Sequence, residues 1–150
     1  MKDTPKGWPR ISTALFYRDA AAAIDWLCAA FGFEVRLKIE GDGGRIEHSE
    51  LTYGDGLIMV GSEGPQAGRP HIELLRSPKT LGGQTTQTLM LYVDDVDAHF
   101  ARARAAGAIV ASEPKVTDYG EEHWADKSYG ALDLEGHQWW FSQRMRSSQS

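Results

Sequence analysis

Hydrophobic and polar positions follow the same order in two stretches of the chain, residues 13–35 and 88–110. Each stretch opens with β-branched and aromatic residues, passes an aspartate and continues through an alanine-rich segment to a glycine. An aspartate there accepts hydrogen bonds from the first N–H groups of a helix, and glycine is typical just after the last turn. Thr13 aligns with Thr88 and Asp19 with Asp94, so we expect strand, cap and helix to occur twice, 75 residues apart.

After the first helix the pattern changes to alternation with a period of two, broken by glycine-rich turns, which predicts three antiparallel strands. The same arrangement follows the second helix. The chain is therefore predicted to be a single α+β domain of two βαβββ modules, residues 10–62 and 84–143. Between them, residues 63–83 are expected to form a surface linker, and residues 144–150 a frayed tail.

Alternation along a strand also predicts which side chains share one face of a sheet. One face of the first module carries a mixed set of residues and is expected to be the open, concave side: Ile46, His48, Glu50, Thr52, Leu57 and Met59. The other face is more uniformly apolar and is expected to pack on the first helix: Leu51, Tyr53, Ile58 and Val60. The helix residues expected to cover that face are Ala23, Ile24, Leu27 and Phe31.

In the second module, treating DLEG as an even-length turn places Tyr129 and Ala131 with Gln138 and Trp140 on the concave face. Trp139, Phe141 and Leu132 are then expected to pack on the second helix. By the repeat, the first strand of each module adds matched residues to the concave side: Thr13, Leu15 and Tyr17, and Thr88, Met90 and Tyr92.

These faces predict a partly apolar cleft that suits a small aromatic or amphipathic molecule. Trp140, Tyr129 and Tyr17 are expected to stack on the ligand, and a loop at the cleft mouth supplies His123 and Trp124. His48 and Glu50 are the polar anchor, a general acid–base pair, or a polar pair that only fixes the sheet. The complete set of candidate ligand-binding residues is Tyr17, His48, Glu50, Leu57, Met59, Met90, Tyr92, His123, Trp124, Tyr129 and Trp140.

Three segments, HSELTYGD, YVDDVDAHFARARAAGA and SYGALDLEGHQWWF, together with the paired βαβββ plan, resemble the glyoxalase/bleomycin-resistance/dioxygenase superfamily, the vicinal oxygen chelate proteins. The first and last segments resemble its PhnB-type branch. The resemblance implies that the two modules form a curved, partly closed mixed sheet around a cavity. It also implies a homodimer, whose geometry the sequence leaves open.

Metalloenzymes of this superfamily carry His, Glu or Gln at four inward positions, which correspond here to Thr13, Met59, Thr88 and Trp140. None of these side chains offers the imidazole or carboxylate that a divalent cation needs. We therefore expect no metal or cofactor, and metal-free binding of a small organic molecule. Two alternatives remain: a divalent-metal-dependent lyase, isomerase or dioxygenase using His48, Glu50 and a third donor such as His123, or a dimeric scaffold without a ligand.

The composition limits the classes of binding partner and the cellular compartment that we expect for this chain. The chain has 16 Lys and Arg residues against 21 Asp and Glu, a net charge of -5, which disfavours nucleic acid and anionic membrane surfaces. The single cysteine, Cys28, cannot form an internal disulfide. No apolar run of signal-peptide or membrane-spanning length occurs. A cytoplasmic location is expected.

Overall fold

The computed structural model describes residues 1–148 and divides the chain into two compact units, Met1–Gln84 and a second that begins at Thr85. Each unit contains one four-stranded mixed sheet and one α-helix. The α+β class and the repeated βαβββ order predicted from the sequence are thereby confirmed.

Unit 1 contains sheet 1, in which the strands lie in the order β1-β4-β3-β2. β1 pairs with β4 in parallel, and the other pairs are antiparallel. The elements of unit 1 are β1 (Thr13–Tyr17), α1 (Ala20–Phe31), β2 (Glu34–Glu40), β3 (Ile46–Tyr53) and β4 (Gly56–Ser62). A short 3₁₀ helix, Pro70–Leu74, lies in the segment that follows β4.

Unit 2 contains sheet 2, with the equivalent order β5-β8-β7-β6 and the same pattern of one parallel and two antiparallel pairs. Its elements are β5 (Thr88–Tyr92), α2 (Val96–Ala105), β6 (Ile109–Asp118), β7 (Ala125–Leu132) and β8 (Gln138–Arg146).

Helix α1 forms as its sequence predicts. The Asp19 carboxylate accepts the N–H of Ala22 at 3.0 Å, which satisfies one of the donors that a helix start leaves free. Gly32 ends the helix with a left-handed φ of 86°, a conformation that glycine adopts without steric cost. The predicted stripe is confirmed, because all its members are buried: Ala23, Ile24, Leu27 and Phe31.

In unit 2 the helix begins one residue later than the repeat predicts. Asp95, not Asp94, caps α2, and its carboxylate accepts the N–H of Ala98 at 3.0 Å. Helix α2 buries Val96, His99 and Ala103. These positions lie 76 residues after Ala20, Ala23 and Leu27, which α1 buries. The correct offset through this region is therefore 76.

The one-residue error also reverses the predicted orientation of β1. Leu15 lies beside Val60 and Tyr17 beside Ser62 in the parallel pair, so both point toward the helix side of sheet 1. Both side chains are fully buried. The prediction that Thr13, Leu15 and Tyr17 face the concave side was wrong; Ala14 and Phe16 occupy that face. For β5 the placement is correct, since Met90 lies beside Trp140 and Tyr92 beside Ser142.

The connection between β7 and β8 contains five residues, and this odd length reverses the predicted faces there. Tyr129 pairs with Phe141 and Ala131 with Trp139, and all four are fully buried on the helix side. Tyr129 stacks on Phe141 with ring centroids 5.0 Å apart. The predicted concave position of Tyr129 and Ala131 was therefore wrong, and so was the helix-side position of Leu132, which pairs with Gln138.

The β3–β4 hairpin keeps the predicted faces, although its register differs. The Asp55-Gly56 turn predicts that Thr52 opposes Met59, whereas Glu50 pairs with Met59 and Tyr53 with Gly56. This shift of two residues leaves the alternation unchanged. Leu51, Ile58 and Val60 are buried on the helix side, as predicted.

The linker and the tail are more ordered than predicted. Ile72 and Ser77 of residues 63–83 are buried, and the Glu63 carboxylate accepts hydrogen bonds from Thr80 and from the Ser77 N–H. Strand β8 continues through Arg146, whose guanidinium donates two hydrogen bonds to Asp118. Residues 149–150 of the predicted frayed tail lie outside the described residues.

Candidate functional site

The face of sheet 1 opposite α1, here called open face 1, carries a hydrogen-bonded group of three ionisable side chains. The Arg36 guanidinium donates to Glu50 Oε1 from Nε at 2.9 Å and from Nη2 at 2.8 Å. On the other carboxylate oxygen, Glu50 Oε2 lies 2.9 Å from His48 Nε2. An ionised carboxylate can only accept, so Nε2 carries the hydrogen.

A bulge in β2 brings Arg36 into this group. The pairing of β2 with β3 shifts between Val35 and Leu37, which leaves Arg36 as the extra residue. Leu37 then pairs with Glu50 and Ile39 with His48, so the apolar residues of this edge strand also lie on open face 1. The sequence alone gave no signal for Arg36, because alternation cannot locate a bulge.

The environment of Glu50 keeps its carboxylate ionised. The hydrogen bond with His48, followed by the hydrogen bonds and charge of Arg36, lowers the pKa of Glu50, while burial acts in the opposite direction. The Glu50 side chain is 11% exposed and the His48 side chain 33%. The group therefore presents a partly exposed imidazole whose orientation is set by a carboxylate held on both oxygens.

The corresponding face of sheet 2, open face 2, is aromatic. A Cβ at Gly130 would meet the six-membered ring of Trp140 at 2.9 to 3.1 Å, so the indole lies directly against the backbone of Gly130. Met90 and Tyr92, which lie on the neighbouring strand, are 54% and 45% exposed. Together Trp140, Met90 and Tyr92 form an apolar surface.

An arginine lies at the end of this surface. Arg144 Nε donates to Asp126 Oδ1 at 2.6 Å, and the Tyr92 hydroxyl donates to Asp126 Oδ2 at 2.9 Å. The guanidinium carbon of Arg144 lies 5.2 Å from the ring centroid of Tyr92 and 5.3 Å from that of Trp124. Both distances are within the range of cation–π contact, so Arg144 links the two rings. Sequence reasoning missed Arg144 because it ended β8 too early; alternation from Trp140 through Ser142 reaches it.

The hairpin between β6 and β7 adds further aromatic residues. The Tyr119 N–H donates to the Trp124 carbonyl at 2.9 Å, and the two rings lie 5.4 Å apart. His123 packs edge-on against Trp124 at 6.0 Å. The predicted loop residues His123 and Trp124 thus lie at the tip of this hairpin.

The structure brings the predicted site residues together in two groups, one in each unit. Open face 1 carries His48, Glu50, Leu57 and Met59. Open face 2 carries Met90, Tyr92 and Trp140, with Trp124 nearby. Two predicted residues, Tyr17 and Tyr129, lie on the helix sides instead.

Four positions of this chain correspond to the metal ligands of the superfamily's metalloenzymes, and their side chains do not suit a divalent cation. The register places Ala14 beside Met59 and Met90 beside Trp140, while Thr13 lies on the helix side of sheet 1, contrary to prediction. Methyl, thioether and indole groups are poor ligands for such ions. Among residues 1–148, no three His, Cys, Asp or Glu side chains are grouped so as to hold a metal.

The described residues also contain no helix that is both long and apolar enough to span a membrane.

Comparison with known proteins identifies several similar chains. A family model described as Glyoxalase/Bleomycin resistance protein/Dioxygenase superfamily matches residues 11–141. The uncharacterized proteins Mb0911c of Mycobacterium bovis and Rv0887c of Mycobacterium tuberculosis are each 34% identical over 140 residues. The match covers 92% of this chain and 85% and 76% of those proteins.

Among solved structures, TioX from Micromonospora sp. ML1 has a TM-score of 0.69 and 31% identity, covering 92% of this chain and all of TioX. TnmS3, described as an antibiotic binding protein from Streptomyces sp. CB03234, has a TM-score of 0.62 and 20% identity. That match covers 89% of this chain and 93% of TnmS3, and at this identity it shows the fold alone.

Proposed function

We propose that this chain, which belongs to the Glyoxalase/Bleomycin resistance protein/Dioxygenase superfamily, binds a small aromatic or amphipathic molecule without a metal. The observation that carries the proposal is the apolar surface of open face 2, where the Trp140 indole lies against Gly130 beside Met90 and Tyr92.

This surface has the properties of a stacking platform. The indole already packs against Gly130, so less side-chain freedom is lost when a flat molecule packs on it than for a fully exposed ring. Met90 and Tyr92 contribute exposed apolar area beside the indole. A planar ligand that removes this area from water gains hydrophobic and stacking free energy together.

Open face 1 offers a separate polar group within unit 1. His48 is partly exposed and is held by Glu50, so a small molecule that binds on this face can hydrogen-bond to an imidazole whose orientation is already set. In that role Arg36 and Glu50 are positioning residues, and His48 is the residue that makes the contact.

The description of TnmS3 as an antibiotic binding protein supports a binding function, since this fold serves binding there. A metal-dependent lyase, isomerase or dioxygenase centred on His48 and Glu50 finds less support. Both Glu50 oxygens are engaged, one by Arg36 and one by His48, and a metal would have to displace these partners.

We further propose that the protein is cytoplasmic and forms a homodimer. The single cysteine suits a reducing compartment. Exposed Leu37 and Ile39 on open face 1 offer apolar area for a second copy.

The test is calorimetric titration with anilinonaphthalene sulfonate, a flat amphipathic probe. We expect Trp140→Phe to weaken binding roughly tenfold, because part of the stacking area is lost. Gly130→Ala should also weaken it, since the new Cβ displaces the indole. Trp26→Phe on α1 is the matched control and should bind as the wild type does.

Equal affinities for the Trp140 and Trp26 variants would contradict the proposal. So would stoichiometric iron, manganese, nickel or zinc in the purified protein that His48→Ala removes, which would favour the metal-dependent alternative.

A further inference from the structure

A groove of ≈ 480 Å³ lies in unit 1 between the N-terminal segment and the β3–β4 hairpin. Trp8 and Pro9 form one wall, and Thr52 and the turn around Asp55 form the other. Arg36 also lines the groove. The volume is within the range of small-molecule sites. All of these residues belong to unit 1, and none of them is a residue of open face 2.

The N-terminal wall of the groove has a defined position, because Arg36 holds it in place. Arg36 Nη1 donates to the Gly7 carbonyl, and the guanidinium carbon lies 4.9 Å from the centroid of the Trp8 ring. Gly7 has a φ of 78°, and a Cβ there would meet Arg36 Nη1 at 3.1 Å. Only glycine allows both this backbone conformation and this close approach. The Trp8 N–H also donates to the Pro5 carbonyl at 3.0 Å, closing a turn.

The charge of Arg36 is already compensated. Two of its N–H groups donate to Glu50 Oε1, and a third donates to Gly7. Because Glu50 keeps its negative charge, the Arg36–Glu50 pair contributes little net charge to the groove.

Asp55 is different, because its carboxylate is unpaired within the described part of the chain. It is exposed at the tip of the hairpin and makes no hydrogen bond or ion pair with any of residues 1–148. Glu34, which is exposed as well, pairs in the sheet with Thr52 at the groove wall. Of the two charged residues that line the groove, Arg36 is paired with Glu50, which leaves Asp55 as the charge that a ligand can meet.

We propose that this groove binds a planar organic cation, whose aromatic body packs against Trp8 and Pro9 and whose positive charge faces Asp55. The residues that line it differ from the Trp140, Met90 and Tyr92 surface on which the function proposed above rests. The combination of an aromatic wall and a nearby carboxylate is the chemistry that recognises a flat, cationic nitrogen heterocycle.

The experiment is calorimetric titration of the full chain with methylquinolinium chloride, and separately with quinaldate, an anion built on the same bicyclic ring. We expect saturable binding of methylquinolinium that depends on Asp55, and weaker binding of quinaldate. Raising the salt concentration should weaken methylquinolinium binding, because exposed charges are screened.

Two variants locate the site. Asp55→Asn should weaken methylquinolinium binding by about fivefold, the size expected of an exposed ion pair. Its matched control is Asp42→Asn, which removes another exposed turn aspartate in the same unit and should leave the affinity unchanged. Trp8→Leu should weaken binding as well, and if this variant does not fold, the Asp55 comparison decides alone.

Trp140→Phe separates this proposal from the function proposed above and should leave methylquinolinium binding unchanged. Loss of cation binding in that variant would assign the cation to open face 2 and overturn the proposed groove site. Equal or tighter binding of quinaldate, no measurable binding of methylquinolinium, or an unchanged affinity in Asp55→Asn would overturn it too.

Discussion

At the scale of single residues, one carboxylate explains why the DLEGHQW segment has its composition. Asp133 Oδ1 accepts the N–H groups of Glu135, Gly136 and His137 at 3.0 to 3.1 Å. Its other oxygen accepts Trp139 Nε1–H at 3.0 Å. Because Asp133 is buried, these N–H groups cannot readily replace the carboxylate with hydrogen bonds to water. The segment that resembles a family motif is thus a structural turn in this chain, and it determines which way Trp139 and Trp140 face.

Asp133→Ala should lower the free energy of unfolding by about 2–4 kcal/mol, because it leaves several buried N–H groups without an acceptor. Urea denaturation measures the change, and Asp133→Asn should lose less, since its amide oxygen still accepts. Asp94→Ala is the control: Asp94 is exposed and Asp95 caps α2 in its place, so its removal should have little effect. A loss in Asp94→Ala as large as that in Asp133→Ala would contradict the assigned roles.

At the scale of elements, the β2 bulge connects the edge of sheet 1 to its centre. It directs Arg36 toward Glu50 on β3, and Glu50 in turn holds His48 on the same strand. The pairing of three groups on two strands stabilises the strand register as well as the orientation of the imidazole.

The lowered pKa of Glu50 makes this contribution dependent on pH. The native protein binds a proton at Glu50 less readily than the unfolded chain does, so the stabilisation is complete above the ordinary glutamate pKa of about 4. It is lost as the pH falls through the lower pKa of the folded state. Glu50→Gln should therefore lower the free energy of unfolding by about 1–2 kcal/mol at neutral pH and flatten its decline in acid.

Denaturation curves recorded across the acidic range measure both effects. Glu40→Gln provides the comparison, because Glu40 pairs with Lys38 in a strongly exposed position where an ion pair contributes little. An acid profile of Glu50→Gln that matched the wild type would show that Glu50 does not carry this dependence.

At the scale of the whole molecule, the apolar residues of the edge strand β2 form the surface through which we propose that two copies associate. Leu37 and Ile39 are 40% and 48% exposed on open face 1, next to the His48 group. Lys38 lies between them in sequence and pairs with Ser49, so it points to the opposite side of the sheet. Apolar area of this kind on an edge strand favours contact with another protein surface.

We expect light scattering to give a mass near twice the 16.6 kDa of one chain. The double variant Leu37→Asp, Ile39→Asp should shift the mass to that of a monomer, because it would bury charge in the interface. Lys38→Asp changes the same strand on the other side and should remain dimeric. A monomeric wild type, or a dimer that survives the double substitution, would exclude this interface.

The sequence by itself determined the elements and much of the helix packing. Aspartate caps, the glycine after α1 and the apolar stripe are local signals, and each formed where the chain predicted it, apart from the shift at Asp95. The face of His48 and Glu50 was also predictable, because a two-residue error in the hairpin register leaves alternation unchanged.

Only the tertiary structure decided the faces of Tyr17 and Tyr129 and the position of Arg36. Alternation relates residues within a strand, whereas the relation between strands depends on whether the connecting loop has an odd or even number of residues. The Asp133 turn has five because its carboxylate gathers three successive N–H groups, and no periodic pattern reveals that count. The bulge at Arg36 is likewise settled by pairing between strands, which brings together residues that are distant in the chain.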